Sequence, residues 1–287
     1  MEKRSQIIAL RIRVVTLAAL LAAGCARGDE PSPTRIIPTR MPTIAVAPAS
    51  NPTPESDSGW VAADPGIELR TLQVADIVPG AMTPVHVLRL DPAAVRLRVI
   101  YDPGAPRPLR SWVMAQRPLA AVNGGFFTAD HTATALLVSD GTAHGAPYVG
   151  FGGMLATSPD GRIWMQPLRD EPYDPSVPLD QAIQSFPMLV YPGGIAADIA
   201  EDGLRARRSV AALDRAGRLL LIVCPTSAFT LHALASWLAT SDLEIERALN
   251  LDGGSSTGMF VQADGALLQI DSFAALPVVL LVERRSG

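Results

Sequence analysis

The chain is poor in cysteine, histidine, aromatic residues and charge. Its 287 residues include two cysteines and four histidines, while 5% are aromatic and 18% are charged. Cys25 lies near the N-terminus in a sequence that predicts lipidation. Cys224 is then left without a partner, so no intrachain disulfide is expected and packing must stabilise the fold. Cys224 lies in the apolar run RLLLIVCP with no histidine close in sequence. It is predicted to be a small buried hydrophobe rather than a nucleophile.

The charge pattern argues against a nucleic-acid partner. The formal net charge is -4, and both signs are scattered along the chain. No basic surface of the kind that binds phosphate backbones is therefore expected. The four histidines match no standard spacing of metal ligands, so no metal site and no cofactor are predicted, although a divalent ion is left open.

The first 25 residues have the pattern of a targeting segment. Four basic residues precede the run VVTLAALLAAG, which is too short for a comfortable membrane span, and Cys25 follows it. LAAGC resembles a bacterial lipobox, in which the signal is cut before the cysteine and that cysteine receives lipid. A plain signal peptide and an uncleaved anchor are the alternatives. The lipobox predicts an extracytoplasmic protein of the bacterial cell envelope, held at a membrane through Cys25 without spanning it.

Residues 26–59 are predicted to form a tether. Proline, threonine and serine dominate this segment, and no hydrophobic period persists in it. Such a composition cannot bury a core and favours extended conformations. The folded domain is therefore predicted to span residues 60–287.

Within that domain, the patterns favour strands over helices. TPVHVLRLDP and AVRLRVIYDP alternate apolar and polar residues, and Asp140-Gly141, Asp160-Gly161 and Ala216-Gly217 mark hairpin turns. One helix is predicted at TLHALASWLATS, with Thr230 as its N-cap. These elements predict a single α+β domain, a mixed, largely antiparallel sheet with a few packed helices.

Two glycine motifs stand out as candidate sites. ALNLDGGSSTGMF (residues 248–260) leads from an apolar strand into Asp252, Gly253, Gly254 and three hydroxyl residues. A carboxylate at a strand exit is easily aimed into a cleft, and bare glycines allow close approach of a substrate. Hydroxyls and backbone N–H groups suit phosphate or sugar oxygens. The alternative is an ordinary Asp-Gly turn whose serines cap local structure.

The second motif, AAVNGGFF (residues 120–127), has the same plan. Asn123 offers a donor and an acceptor, and Gly124 and Gly125 follow it. Asn250 and Asp252, two residues apart, would project to one face of a strand. A glycine bulge near Asn123, or a sheet-edge cap at Asn250, would explain the same residues without a site.

Taken in order, AAVNGGFF, QSFPMLV, RRSVAAL and ALNLDGGSST resemble the phosphodiester glycosidase family over about residues 120–259. The resemblance implies a hydrolase that cleaves the bond between the anomeric carbon and the phosphate oxygen of a sugar-1-phosphodiester, with a glycan or sugar phosphate as substrate. It implies Asp252 as the catalytic carboxylate and Arg208 as the cation that neutralises the departing phosphate. The implied substrate-binding residues are Asn123, Gly124, Gly125, Asn250, Gly253, Gly254, Ser255 and Ser256.

The chain departs from the family pattern in two places. Thr134 and Leu136 stand where a Pro-x-Gly element is usual, and the last motif lacks a third glycine. The first departure favours a rival hypothesis, a non-catalytic carbohydrate-binding or envelope-assembly lipoprotein. A phosphodiesterase that cuts phosphorus–oxygen bonds is disfavoured, because such enzymes generally need a cluster of metal ligands.

Overall fold

The computed structural model describes residues 56–263 and 266–285. The predicted signal peptide with Cys25, and the predicted tether up to residue 55, lie outside the described residues. Ser58 N donates to Thr71 O at 3.0 Å, and Gln73 N donates to Ser56 O at 2.8 Å, so residues 56–58 run beside a strand of the domain. Neither helix in the described ranges has the length and apolar character needed to cross a bilayer.

Eighteen strands and two α-helices make up the described chain. They are β1 (Val61–Asp64), β2 (Ile67–Val78), β3 (Ala81–Leu90), β4 (Val95–Tyr101), α1 (Leu109–Gln116), β5 (Ala120–Asn123), β6 (Leu137–Ser139), β7 (Thr142–His144), β8 (Gly153–Thr157), β9 (Ile163–Pro167), β10 (Gln181–Ser185), β11 (Met188–Tyr191), β12 (Ile195–Ala196), β13 (Ala206–Asp214), β14 (Leu219–Phe229), α2 (Leu231–Thr240), β15 (Ile245–Asn250), β16 (Met259–Ala263), β17 (Ala266–Ile270) and β18 (Val278–Arg284). A single 3-10 turn covers Gly254–Ser256.

The strands form three sheets. The largest has the order β1-β2-β3-β14-β13-β15-β11-β12, the second has the order β7-β6-β10-β8-β9, and the third has the order β17-β16-β5-β18-β4. Every pair of neighbouring strands in the described chain is antiparallel.

The predicted α+β class is wrong, because the domain is mostly β. Its two α-helices have 8 and 10 residues and lie between β4 and β5 and between β14 and β15. Helical crossovers are needed where neighbouring strands run parallel, and antiparallel neighbours can be joined by hairpins and loops instead. The antiparallel pairing therefore leaves little need for helices.

Several local predictions are confirmed. The Thr230 side chain accepts a hydrogen bond from Ala233 N and caps α2. Asp140 and Gly141 form the tight turn between β6 and β7, with φ values of 45° and 75° that suit a two-residue hairpin. The other two predicted turns join β8 to β9 and β13 to β14. Helix α1, which follows Pro108, was not predicted.

The main core lies where the three sheets face one another. It combines residues such as Leu221 of the first sheet, Leu155 of the second and Leu280 of the third, all almost fully buried. A second core packs α2 against the other face of the first sheet and includes Cys224. Burial raises the pKa of the Cys224 thiol to about 12, which makes it a packing residue as predicted.

Candidate active site

The buried amide of Asn123 joins three segments at the end of β5. Asn123 Nδ2 donates to Asp252 O at 2.7 Å, and Asn123 Oδ1 accepts from Ser209 Oγ at 2.7 Å and from Gly258 N at 3.2 Å. Its side chain therefore connects β5 to β13 and to both sides of the second glycine motif. These bonds occupy the amide, so Asn123 acts on the site by positioning its neighbours.

The two glycine motifs meet in space. Asp252 N donates to Gly124 O at 3.2 Å, and Leu251 N donates to Ser209 O at 2.9 Å. Both bonds continue the β15 backbone beyond its last strand residue. Asp252 is thus held at the strand exit, where the sequence places it.

Packing explains the first glycine of each motif. A Cβ on Gly124 would lie 2.7 Å from Val278 Cγ2, and one on Gly253 would lie 2.9 Å from Arg207 O. Gly125 is likewise close, with its would-be Cβ 3.1 Å from Ile183 Cγ2, whereas Gly254 has a φ of +60° and open space around it. Gly254 is thus the one glycine of the four whose bare surface is free for a ligand.

The carboxyl group of Asp252 is half-buried beside this loop. Burial raises the pKa of Asp252, and interactions with Ser256 and with the Gly253 amide counter part of that rise. Gly253 N donates to Asp252 Oδ1 at 2.8 Å, which fixes the orientation of the carboxyl group. A carboxyl with a raised pKa is a better proton acceptor than an ordinary exposed aspartate.

Arg208 lies on β13 next to the same loop. Its Cδ is 4.0 Å from the position that a Cβ of residue 253 would take. Arg208 Nε donates to Phe229 O at 3.1 Å and Arg208 Nη2 donates to Leu204 O at 2.7 Å. Both partners are neutral carbonyl groups, so the half-buried guanidinium keeps its full charge without a carboxylate partner.

The neighbouring Arg207 is a buried cation that no sequence motif singled out, and its backbone carbonyl lies against Gly253. It is 7% exposed, and within the described chain its Nε and Nη1 have no hydrogen-bond partner. Its Nη2 donates to Asp271 O at 3.1 Å, and its guanidinium lies 4.1 Å from the ring centroid of Phe273, which is 80% exposed. Burial lowers the pKa of both Arg207 and Arg208, because each charge is only partly compensated.

More unsatisfied polar atoms lie around the strand ends. Asn250 Nδ2 donates to Phe186 O at 2.9 Å, but Asn250 Oδ1 has no partner among the described residues. The same is true of Ser185 Oγ, which precedes Phe186, and of Thr257 Oγ1, which follows the 3-10 turn. Buried polar atoms are normally paired, so these oxygens are sites for water or for ligand hydroxyls.

The two serines of the second motif differ in position. Ser255 is exposed, and its carbonyl accepts from Phe273 N at 2.7 Å and from Ala274 N at 3.0 Å. Ser256 is buried next to Asp252. Ser255 is therefore free to meet a ligand with its hydroxyl, whereas Ser256 tunes the carboxyl group.

An aromatic cluster, Phe126, Tyr148, Phe151 and Phe186, stands beside these groups. The Phe126 and Phe186 rings are 4.7 Å apart and those of Tyr148 and Phe151 are 4.5 Å apart, between centroids. Phe151 and Phe186 are 49% and 42% exposed. Phe126 and Phe186 lie in the motifs AAVNGGFF and QSFPMLV, but no motif points to Tyr148 or Phe151, because the members of the cluster come from three separate loops.

The unusual Thr134 helps to hold the aromatic cluster. Thr134 Oγ1 donates to Phe126 O at 3.2 Å and lies 3.0 Å from Tyr148 Oη. The departure at this position therefore keeps the loop after the first glycine motif attached to the aromatic cluster. Leu136, the other residue of this departure, is a buried core residue.

The geometry defines a β-domain with a carboxylate, two arginines and an aromatic cluster around adjoining strand ends. The family model for phosphodiester glycosidases matches residues 116–283, more than half of the chain. The chain belongs to the phosphodiester glycosidase family. In the part of the chain that the structure describes, no group of three or more histidine, cysteine, aspartate or glutamate residues is arranged to hold a metal ion.

Two solved structures share the fold. The catalytic domain of zebrafish N-acetylglucosamine-1-phosphodiester alpha-N-acetylglucosaminidase, auto-inhibited by its pro-peptide, aligns with a TM-score of 0.60 and 19% identity, covering 80% of this chain and 89% of that one. A hypothetical protein from Synechocystis aligns with a TM-score of 0.52 and 17% identity, covering 77% of this chain and 62% of that one. No curated protein matches the sequence.

Replacing Asn123 tests its role as the connection between the motifs. Asn123→Ala removes the partners of Ser209 Oγ, Gly258 N and Asp252 O, so we expect the free energy of unfolding to fall by about 3 kcal/mol or more. Asn123→Asp, which keeps the volume but loses the donor, should also destabilise the protein. The exposed Ser255→Ala is the control, with a change within about 0.5 kcal/mol. Urea denaturation that gives equal stabilities for Asn123→Ala and Ser255→Ala would contradict this role.

Asp252 should lower stability in a pH-dependent way. Its pKa is higher in the folded than in the unfolded chain, so deprotonation opposes folding and the penalty is complete above the folded pKa. Asp252→Asn should therefore be more stable than the wild type at pH 7. The difference in unfolding free energy should shrink as pH falls through the folded pKa toward the unfolded value near 3.8. A difference that is constant from pH 7 to pH 3.5, or grows toward acid, would rule out the raised pKa.

Proposed function

We propose that the protein hydrolyses the sugar C1–O bond of a sugar-1-phosphodiester in envelope or exported glycans. The observation that carries the proposal is the half-buried Asp252, with its raised pKa, on a loop that adjoins the Arg208 side chain and the Arg207 backbone. Neither arginine forms an ion pair in the described chain, because their hydrogen bonds go to carbonyl groups. A site with excess buried positive charge favours an anion, and the carboxyl group beside it suits reaction at an electron-poor carbon.

The reaction needs water and two kinds of assistance. Water oxygen forms a bond to C1 while the bond from C1 to the phosphate oxygen breaks, giving a free sugar and a phosphate monoester of the remaining alcohol. The phosphate leaves with the bonding electron pair and one proton of the water is removed. Because phosphate is a good leaving group, charge stabilisation matters more here than a strong general acid.

Asp252 is proposed as the group that assists at the sugar. Its Oδ1 is held by Gly253 N, and its burial makes it more basic than an exposed carboxylate. In the proposed reaction its negative charge stabilises the positive sugar ring while the C1–O bond breaks, and it then accepts the proton of the attacking water. The open surface at Gly254 gives the substrate room beside it.

Arg208 is proposed as the direct phosphate contact. It is half-buried rather than enclosed, and it adjoins Gly253. A planar guanidinium can hold two phosphate oxygens at once. Arg207, whose Nε and Nη1 have no hydrogen-bond partner within the described chain, adds positive potential from its position next to Phe273.

The proposed sugar contacts are the remaining groups at the strand ends. Asn250 Oδ1 is a free acceptor, Ser255 carries an exposed hydroxyl, and the aromatic cluster offers apolar faces. Pockets that combine aromatic rings with a few placed polar groups are typical of small-molecule sites. Family membership supports the reaction class, and the name of the zebrafish relative makes N-acetylglucosamine the first sugar to test.

Turnover of a panel of sugar-1-phosphodiesters, including UDP-N-acetylglucosamine, tests the proposal. We expect free reducing sugar from the wild type, and a loss of about 100-fold or more in Asp252→Asn, since positioned proton transfer contributes about that much. Arg208→Ala and Arg207→Ala should also lower kcat/KM, with partial recovery in the lysine variants. Assays with and without EDTA decide whether a divalent ion assists.

The products distinguish this reaction from its rivals. In ¹⁸O-labelled water the phosphate monoester should carry no label, because the phosphorus–oxygen bonds stay intact. Label in the phosphate, or release of a sugar phosphate, would show phosphorus–oxygen cleavage and contradict the proposal. Saturable binding of the panel without turnover would favour the non-catalytic carbohydrate-binding lipoprotein.

We also propose that lipid at Cys25 holds the protein at the outer face of a bacterial membrane. The support is the basic start, the short apolar run and the LAAGC sequence. In a bacterial host supplied with labelled palmitate, the full-length chain should take up label and sediment with membranes. Cys25→Ser should take up none and leave the membrane fraction. An unlabelled wild-type chain would refute the anchor.

A further inference from the structure

A second cleft lies on the outer face of the sheet β7-β6-β10-β8-β9. Its volume is about 560 Å³, and its lining includes Trp164, Tyr173, Gln166, Arg162 and Glu171. Trp164 and Gln166 alternate with Met165, which faces the main core, so both project away from that core. No part of the proposed reaction uses this cleft.

The walls of the cleft are fixed by hydrogen bonds. Trp164 Nε1 donates to Gln166 Oε1 at 2.8 Å, and Gln166 Nε2 donates to Glu171 O at 2.9 Å. The indole is thereby locked to the loop that carries Tyr173. Three prolines, Pro159, Pro172 and Pro178, also line the cleft and restrict its backbone.

The chemistry of the lining suits carbohydrate. Two half-buried aromatic rings offer apolar faces, and Arg162, Gln166, Glu171 and Asp174 surround them with donors and acceptors. Sugars present apolar C–H faces and a rim of hydroxyl groups, which such a mixed surface matches. The acidic and basic groups are both present, so a neutral polar ligand fits better than a strongly charged one.

A chain of packed and hydrogen-bonded side chains connects the cleft to the candidate active site. Phe186, whose carbonyl binds Asn250, packs edge-on against Tyr148 at 5.8 Å. Tyr148 N donates to Gln184 Oε1 at 2.7 Å, and Gln184 Nε2 reaches Met154 Sδ at 3.8 Å. Met154 lines the cleft, and Tyr148 and Trp164 pack against the same apolar cluster.

Strand β8 leads from the neighbourhood of Phe186 to the cleft. Gly153 pairs with Ser185, which precedes Phe186, and Ala156 of the same strand pairs with Trp164. These two positions on β8 are about 10 Å apart, so a ligand that contacts both must extend beyond one sugar ring.

We propose that the cleft at Trp164 and Tyr173 binds sugar units remote from the cleaved bond, so that the protein acts on extended glycan phosphodiesters. This inference rests on the proposed function for its reaction, but the cleft's affinity for carbohydrate is a separate property. Binding in the cleft holds the glycan along the sheet face and presents its phosphodiester to Asp252 and Arg208.

Binding is measured on the full-length wild-type protein, whose proposed reaction needs a phosphodiester and therefore does not consume phosphate-free probes. The probes are phosphate-free oligosaccharides of N-acetylglucosamine, glucose and mannose, each from one to six units. We expect affinity to rise with length, and Trp164→Ala and Tyr173→Ala to weaken it about tenfold. Trp164→Phe, which keeps a ring, should lose less, and Trp60→Ala, a tryptophan beside Arg89 on the first sheet, is the matched control.

Kinetics on the active chain supply the second test. The ratio of kcat/KM for a long glycan phosphodiester to that for a single-sugar phosphodiester should exceed one and fall in Trp164→Ala. Three results would contradict the cleft proposal: an affinity that does not rise with oligosaccharide length, an affinity that is unchanged in Trp164→Ala and Tyr173→Ala, or no binding of any probe. Turnover with equal kcat/KM for the long and the single-sugar phosphodiester contradicts the cleft proposal alone. Binding that depends on Trp164, without turnover of any phosphodiester, contradicts the proposed function alone.

Discussion

The candidate site depends on one buried side chain, the amide of Asn123. Three sheets meet around a common core, and their strand ends must be joined where β5, β13 and β15 come together. An asparagine can donate and accept at once, and Asn123 does both, to the Asp252 carbonyl and from Ser209 and Gly258. An apolar residue would leave those buried groups unpaired, and an aspartate could not donate. The position of the Asp252 carboxyl is therefore set by a residue that need not touch substrate.

The charges around this connection oppose folding and favour ligand binding. Burial raises the pKa of Asp252 and lowers that of Arg207 and Arg208, so each charged form is less stable here than in water. Asp271 and Asp202 offset part of this cost from a distance, but within the described chain neither forms an ion pair with these arginines, whose hydrogen bonds go to carbonyl groups. A bound phosphate would supply the missing negative charge. Buried charges that lower the stability of the folded state are common at functional sites.

The sequence predicts the strands, the turns and the polar motifs better than it predicts their assembly. Period-two patterns, turn signals and the Thr230 cap are local signals, and they identified β3, β4, three hairpins and α2. The class was misjudged because strand pairing is long-range: nothing local states that β14 pairs with β3 or β16 with β5. The motifs name Asp252, Arg208 and Asn250 as candidates, whereas no motif singles out Arg207. Its burial next to Phe273 depends on a segment more than sixty residues away.

The departure at Thr134 shows how a site can keep its shape with different residues. Where relatives usually carry proline and glycine, which restrict or free the backbone, this chain has a hydroxyl that bonds the Phe126 carbonyl and the Tyr148 hydroxyl. In this chain, hydrogen bonds of the Thr134 side chain hold the loop. This constraint also reaches further, because Tyr148 belongs to the aromatic cluster and, through Gln184, adjoins Met154 in the second cleft. The same substitution that first suggested a damaged site therefore connects the first glycine motif to the surface along which a glycan would lie.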